Sequence, residues 1–121
     1  GGYRPVIEQD LETFMGDIRI NVGTAFAVVR HAAPQMREGG SFVFISSTAA
    51  VLSFQGLAGY CAGKAALDHF VRVAANELGA RGLAADLFAG ATEGADLVSC
   101  SGCIGPTTQT PTVWVGGKGG F

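Results

Sequence analysis

The sequence predicts an α/β protein, part of a doubly wound parallel sheet with flanking helices. Three features predict it. Apolar residues recur at three- and four-residue intervals from Phe14 to Met36, a continuous apolar run follows at Phe42 to Ile45, and a second helical stripe runs from Leu67 to Leu78. Helix, strand, helix and a further strand candidate in that order make the repeating unit of such a sheet.

Asp10 is placed to cap a helix beginning near Leu11. Phe14, Ile18, Val22, Ala25, Phe26, Val29, Ala33 and Met36 form one apolar face along it, with disturbance expected at Gly16 and Gly23. Pro34 fits poorly in a helix interior, and Glu38-Gly39-Gly40 turns the chain. Phe42-Val43-Phe44-Ile45 does not alternate, which favours a central parallel strand covered on both faces. Ser46 to Gly59 reads as a loop. A second long helix is expected from about Tyr60 to Gly79, with Leu67, Phe70, Val71, Ala74, Ala75 and Leu78 as its stripe and Lys64, Asp68, Arg72 and Asn76 largely off it. Gly79-Ala80-Arg81-Gly82 stops that helix. Leu83 to Phe88 is the next strand candidate, although Asp86 is awkward for a core, and Thr112 to Val115 is a short last one.

These elements are expected to form a single incomplete domain over residues 1–121. Residues 1–88 would be its core, and 89–121 a shortened region for substrate and the closing strand. In 121 residues, 48% are hydrophobic and 15% charged, which points to surface covered by another subunit or by further chain. A formal charge of −2 with eight Lys and Arg gives no reason to propose nucleic acid. No stretch approaches a membrane span. Three cysteines, an odd number, favour a reducing compartment, and a cytoplasmic location is the default expectation. Cys100-Ser101-Gly102-Cys103 has the spacing of a redox or zinc pair, but it reads as loop and lacks a second ligand pair, so no metal is expected.

The chemistry-bearing group is Ser47, Tyr60 and Lys64. Tyrosine and lysine at i and i+4 share one helix face. A free phenol titrates near about 10, and an ammonium one turn away favours the phenolate, drawing the pair toward acid–base work. Ser47, after a buried strand, is placed to hydrogen-bond a substrate oxygen on which charge develops. Asn21, in the Gly-interrupted first helix, is expected to hold a main-chain carbonyl or a water next to Lys64 and extend a proton path. A hydride would have to come from a nicotinamide, because no side chain supplies one. Each residue alone is more ordinarily structural; only the joint arrangement is unusual.

These residues resemble the short-chain dehydrogenase/reductase family, of the classical type. The resemblance rests on Tyr60-Cys61-Ala62-Gly63-Lys64, on Ile45-Ser46-Ser47 with Ser47 thirteen residues before the tyrosine, and on Asn21-Val22-Gly23. Gly39-Gly40-Ser41 and Ala65-Ala66-Leu67-Asp68 belong to the same framework. The resemblance runs from Gly1 to about Gly82. It implies a Rossmann-type domain lacking its N-terminal dinucleotide-binding part, NAD or NADP as cofactor, and a small carbonyl or alcohol substrate. By the same resemblance Tyr60 is the acid/base, Lys64 also meets the nicotinamide ribose, Ser47 positions the substrate and Asn21 supports the relay. Gly1, Ala89 and Gly90 fall on cofactor-binding positions. Asp86-Leu87-Phe88-Ala89-Gly90 departs from the family pattern, with Asp86 in place of asparagine and Ala89 in place of proline, and Gly94 stands where a threonine often follows. Subunits would pair through the two long helices into a homodimer or homotetramer, with Ala62, Ala65, Ala66 and Ala74 suited to close contact. The alternative is a truncated, non-catalytic homologue serving as a dimerising scaffold.

Overall fold

Asp10 starts the first helix as expected, its carboxylate accepting from the Thr13 N–H and the Thr13 hydroxyl, each at 2.8 Å. The computed structural model describes residues 3–90, 98–101 and 112–115, with side chains as far as residue 87. Helix α1 spans Leu11–Ile18, a wide π turn follows at Arg19–Gly23, and α2 spans Thr24–Ala32. The single long helix of the sequence reading is thus two helices joined by that turn. Pro34 sits within a short 3-10 turn, Ala33–Gln35, where its missing N–H is tolerated.

Strand β1 is Ser41–Ser47, α3 is Ala58–Gly79 and β2 is Ala84–Gly90, with β3 at Val98–Ser101 and β4 at Thr112–Val115. The strands form one sheet in the order β1-β2-β3-β4. β1 and β2 are parallel, with Ser46 opposite Ala89 and Ser47 opposite Gly90, while β3 and β4 add antiparallel pairs. Gly39, with φ +84°, turns the chain into β1, and its N–H reaches the carbonyl of Gly82 at 2.9 Å, tying together the entrances of the two parallel strands.

The core lies between α3 and one face of β1 and β2. Phe42, Leu67, Val71, Ala75, Leu78, Ala85 and Leu87 are buried there, and Val29, Met36 and Phe70 pack against them. Fully burying a Leu or Val side chain stabilises by roughly 1.5–3 kcal/mol, so the α3 stripe holds helix to sheet.

Five expectations need correction. β1 is at the edge of the sheet among the described residues, and Val43 and Ile45 are 63% and 61% exposed, so only one of its faces is covered. Asp86 alternates onto that opposite face, which removes the conflict of an acid among core residues. The supposed loop after Ile45 begins later: Ser46 and Ser47 complete β1, and Thr48–Ala50 is a 3-10 turn. Phe26 is half exposed and meets Phe70 edge-on at 6.2 Å on the outer surface of α2 and α3, and Cys100 and Ser101 are strand, not loop.

Candidate active site

Close approach of α3 to the first helical segment sets the site. A Cβ built on Gly59 would lie 3.2 Å from the Phe14 carbonyl oxygen, and one on Gly63 would lie 3.1 Å from both the Asp17 carbonyl oxygen and Asn21 Cβ. These two glycines, one turn apart, let α3 settle directly on α1 and the π turn. Tyr60 and Lys64 each follow one of these glycines, about 100° further round the helix.

Asn21 sits inside the π turn, where the backbone ladder is spread. Its side-chain N–H donates to the Asp17 carbonyl at 2.7 Å. The expected main-chain carbonyl is therefore present, but it belongs to Asn21's own helix. Thr24 reinforces the turn, its hydroxyl donating to the Ile20 carbonyl at 2.6 Å.

Tyr60 lies in the first turn of α3, half-buried, and the Lys64 ammonium stands 5.7 Å from its ring centroid. Lys64 Nζ also donates to the Ile45 carbonyl at 2.9 Å. One turn further, the Asp68 carboxylate accepts a short hydrogen bond from the Ser46 hydroxyl, which is buried at 6% exposure. Burial pushes the Asp68 carboxyl above the ordinary carboxylate range, while the Ser46 hydrogen bond and the charges of Arg72 and Lys64 draw it back. Consecutive turns of α3 thus grip consecutive residues of β1.

Ser47 ends β1, its hydroxyl oxygen accepting the Ala49 N–H at 3.1 Å and so shaping the turn that follows. Ser47 stands at the C-terminal end of β1, opposite Gly90 at the end of β2, where open α/β sheets hold their ligands. Ala89 and Gly90 reach the same end by strand register, but their side chains are not described. Gly1, Gly94 and Cys103 lie outside the described residues. A cavity of about 220 Å³ opens along the free edge of β1, lined in part by Asn21, Phe44, Ile45 and Lys64. It touches neither Ser47 nor Tyr60, so it is not the place where those two would meet a substrate.

Sequence reasoning gives Ser46 and Asp68 no role in the site, reading the first as loop and the second as lying largely off the apolar stripe of its helix. The signal available was the spacing of Asp68 four residues after Lys64, which puts both on one face.

Among the described residues no group of three or more His, Cys, Asp or Glu is placed to hold a metal, and no helix is long and apolar enough to cross a membrane. What remains is a Rossmann-type α/β core in which Lys64 reaches both the Tyr60 ring and the Ile45 carbonyl of the strand that Ser47 ends. Residues 2–87 match the family model described as Enoyl-(Acyl carrier protein) reductase. The chain belongs to the short-chain dehydrogenase/reductase family.

Among relatives, the chain is 49% identical over 61 residues to an uncharacterized oxidoreductase of Mycobacterium tuberculosis, covering 48% of this chain and 23% of that protein. It is 32% identical over 95 residues to a hydroxynaphthalene reductase of Aspergillus fumigatus, covering 78% of this chain and 35% of that one. Among solved structures, a dehydrogenase/reductase from Sinorhizobium meliloti superposes with TM-score 0.66 at 29% identity, covering 70% of this chain and 34% of that chain. BdcA in complex with NADPH gives TM-score 0.66 at 28% identity, over 72% of this chain and 36% of that chain. The chain thus spans about a quarter to a third of the length of the curated relatives it matches.

Proposed function

We propose that the protein carrying this chain is an oxidoreductase that transfers a hydride between NAD or NADP and a carbonyl or secondary alcohol. The observation that carries this reading is the Lys64 ammonium over the Tyr60 ring, with the same ammonium held by the Ile45 carbonyl two residues before Ser47. The likeness to an NADPH-bound structure and to a named reductase supports it.

The groups present suit the nicotinamide-ribose end of such a cofactor. Lys64 uses one N–H on Ile45 and keeps two more donors for ribose hydroxyls. Gly1, Ala89 and Gly90 are the further positions assigned to cofactor contact. When bound, the nicotinamide supplies or accepts the hydride. Tyr60 gives its phenolic proton to the substrate oxygen during reduction and takes it back during oxidation. Ser47 donates a hydrogen bond to that same oxygen, stabilising the charge that gathers there. Lys64 holds its ammonium over the Tyr60 ring and keeps the two side chains together on one face of α3. Asn21 keeps the π turn in shape beside Gly63 and so supports the lysine's side of the path.

The outer face of α2 and α3, with Phe26, Phe70 and Val73 around a shallow hollow, is the surface assigned to a second copy of the protein. Sedimentation of the full-length protein tests that assignment, and a monomer at micromolar concentration would reject it.

Turnover of NADH or NADPH with a panel of ketones tests the activity. Tyr60→Phe should lower kcat by about 10²- to 10⁴-fold while circular dichroism stays unchanged. Near-normal turnover in that variant would reject the reading, and a folded wild-type protein that binds neither nucleotide would favour a scaffold.

A further inference from the structure

We propose that Asp68 is a positioning residue: by accepting the Ser46 hydroxyl from α3, it fixes the end of β1, and with it Ser47, against the helix that carries Tyr60 and Lys64. This rests on the oxidoreductase reading for its catalytic consequence, though not for the tether itself.

Ser46 and Ser47 are adjacent in a strand, so their side chains leave opposite faces. Ser46 points into the layer beneath α3, where it is buried and meets Asp68. Ser47 projects from the same stretch of backbone toward the strand end. Holding the first therefore sets the second. Asp68 lies four residues after Lys64 and eight after Tyr60, so all three share a stripe of α3. Lys64 takes the Ile45 carbonyl and Asp68 takes the next residue's hydroxyl. Two successive bonds from one helix leave the strand little freedom to slide or twist.

Packing alone does not call for a carboxylate here. Burying a charged oxygen is costly, and an apolar pair of similar volume would hold helix to strand at least as well. The polar pair has an effect that an apolar pair lacks: a hydroxyl donating to one fixed oxygen sets where the strand stands along the helix.

The test uses the full-length protein with Ser46→Ala, Asp68→Ala, Asp68→Asn and the double Ser46→Ala/Asp68→Ala variant. Two readouts are followed: kcat and KM with a ketone and NADPH or NADH, and amide hydrogen exchange over residues 45–50. Each alanine variant should lose about 10- to 100-fold in kcat with KM little changed. The double variant should lose no more than either single one, because both remove the same bond. Asp68→Asn should recover most of the rate, since its amide oxygen accepts the same hydroxyl. Exchange at residues 45–50 should quicken in Asp68→Ala and Ser46→Ala but not in Asp68→Asn. Additive losses, an unchanged kcat in Ser46→Ala, or an asparagine variant as impaired as alanine would overturn the proposal. If the wild-type protein turns over no nicotinamide substrate, the functional reading fails and exchange alone decides: quickening in the alanine variants upholds the tether, and unchanged exchange rejects it.

Discussion

Lys64 Nζ donates to the main-chain oxygen of Ile45 at 2.9 Å, two residues before Ser47. The lysine is therefore part of the scaffold as well as of the chemistry assigned to it. Lys64→Ala should weaken nucleotide binding and lower the rate together. It should also cost about 1 kcal/mol of stability, below the roughly 1.5–3 kcal/mol usual for a hydrogen bond to a charged group, because this one is solvent-exposed. Urea unfolding read beside nucleotide affinity checks both. An unchanged urea midpoint would mean that the Ile45 contact contributes nothing to the fold.

Gly63 offers a second, purely steric prediction. Alanine at a helix interior ordinarily gains about 1 kcal/mol over glycine. Here the added methyl would stand 3.1 Å from the Asp17 carbonyl oxygen and from Asn21 Cβ, both fixed to a neighbouring backbone. Overpacking of that kind costs about 1–3 kcal/mol. Gly63→Ala should therefore be net destabilising by about 1 kcal/mol and should move Asn21, lowering kcat more than KM. A gain in thermal midpoint would show that the π turn yields easily.

Much of this arrangement was legible before any coordinates. Tyr60 and Lys64 announce themselves by i, i+4 spacing, and the Leu67–Leu78 stripe names the face of α3 that meets the sheet. The Asp10 cap follows from residue type and position alone. Ser46 did not announce itself, because its partner is 22 residues away and its burial depends on where β1 ends. The π turn was hidden for a related reason: Gly16 lies before it and Gly23 ends it, but Asn21's side chain bonding the Asp17 carbonyl is what occupies it. Apolar runs cannot tell a strand covered on both faces from one whose second face is bare among the described residues, as at Val43 and Ile45. Val98–Ser101 was missed because two small polar residues and a cysteine give no strand signal without a partner.

Asp10 provides a pH test remote from the site. Hydrogen bonds from the Thr13 N–H and then its hydroxyl hold the Asp10 carboxyl below its ordinary value of 3.8. A lowered folded-state value means the unfolded chain binds the proton more readily, so the contribution to stability is present above about pH 4 and fades as pH falls through the folded value. Asp10→Asn keeps an acceptor for the cap and should flatten that acid slope. Asp10→Ala should lose the cap at every pH. Helix content followed by circular dichroism between pH 2 and pH 7 separates the two, and identical acid profiles for wild type and Asp10→Asn would remove Asp10 as the source.

Asp68 should behave in the opposite sense. Burial raises its carboxyl above 3.8 in the folded protein, chiefly by penalising the charged form. The folded state then holds the proton more tightly than the unfolded chain does. Stability is correspondingly lost as pH rises through the window between the unfolded value and the raised folded one, and regained on acidification. The ionised state at neutral pH thus carries a standing cost, partly offset by the Ser46 hydrogen bond. Asp68→Asn removes the titration while keeping an acceptor, so its stability should not change across that window and should exceed that of wild type at pH 7. Denaturant midpoints taken from pH 4 to pH 7 measure the difference. A wild-type midpoint that climbs with pH relative to Asp68→Asn would mean that the Ser46 bond and the Lys64 and Arg72 charges outweigh burial at this position.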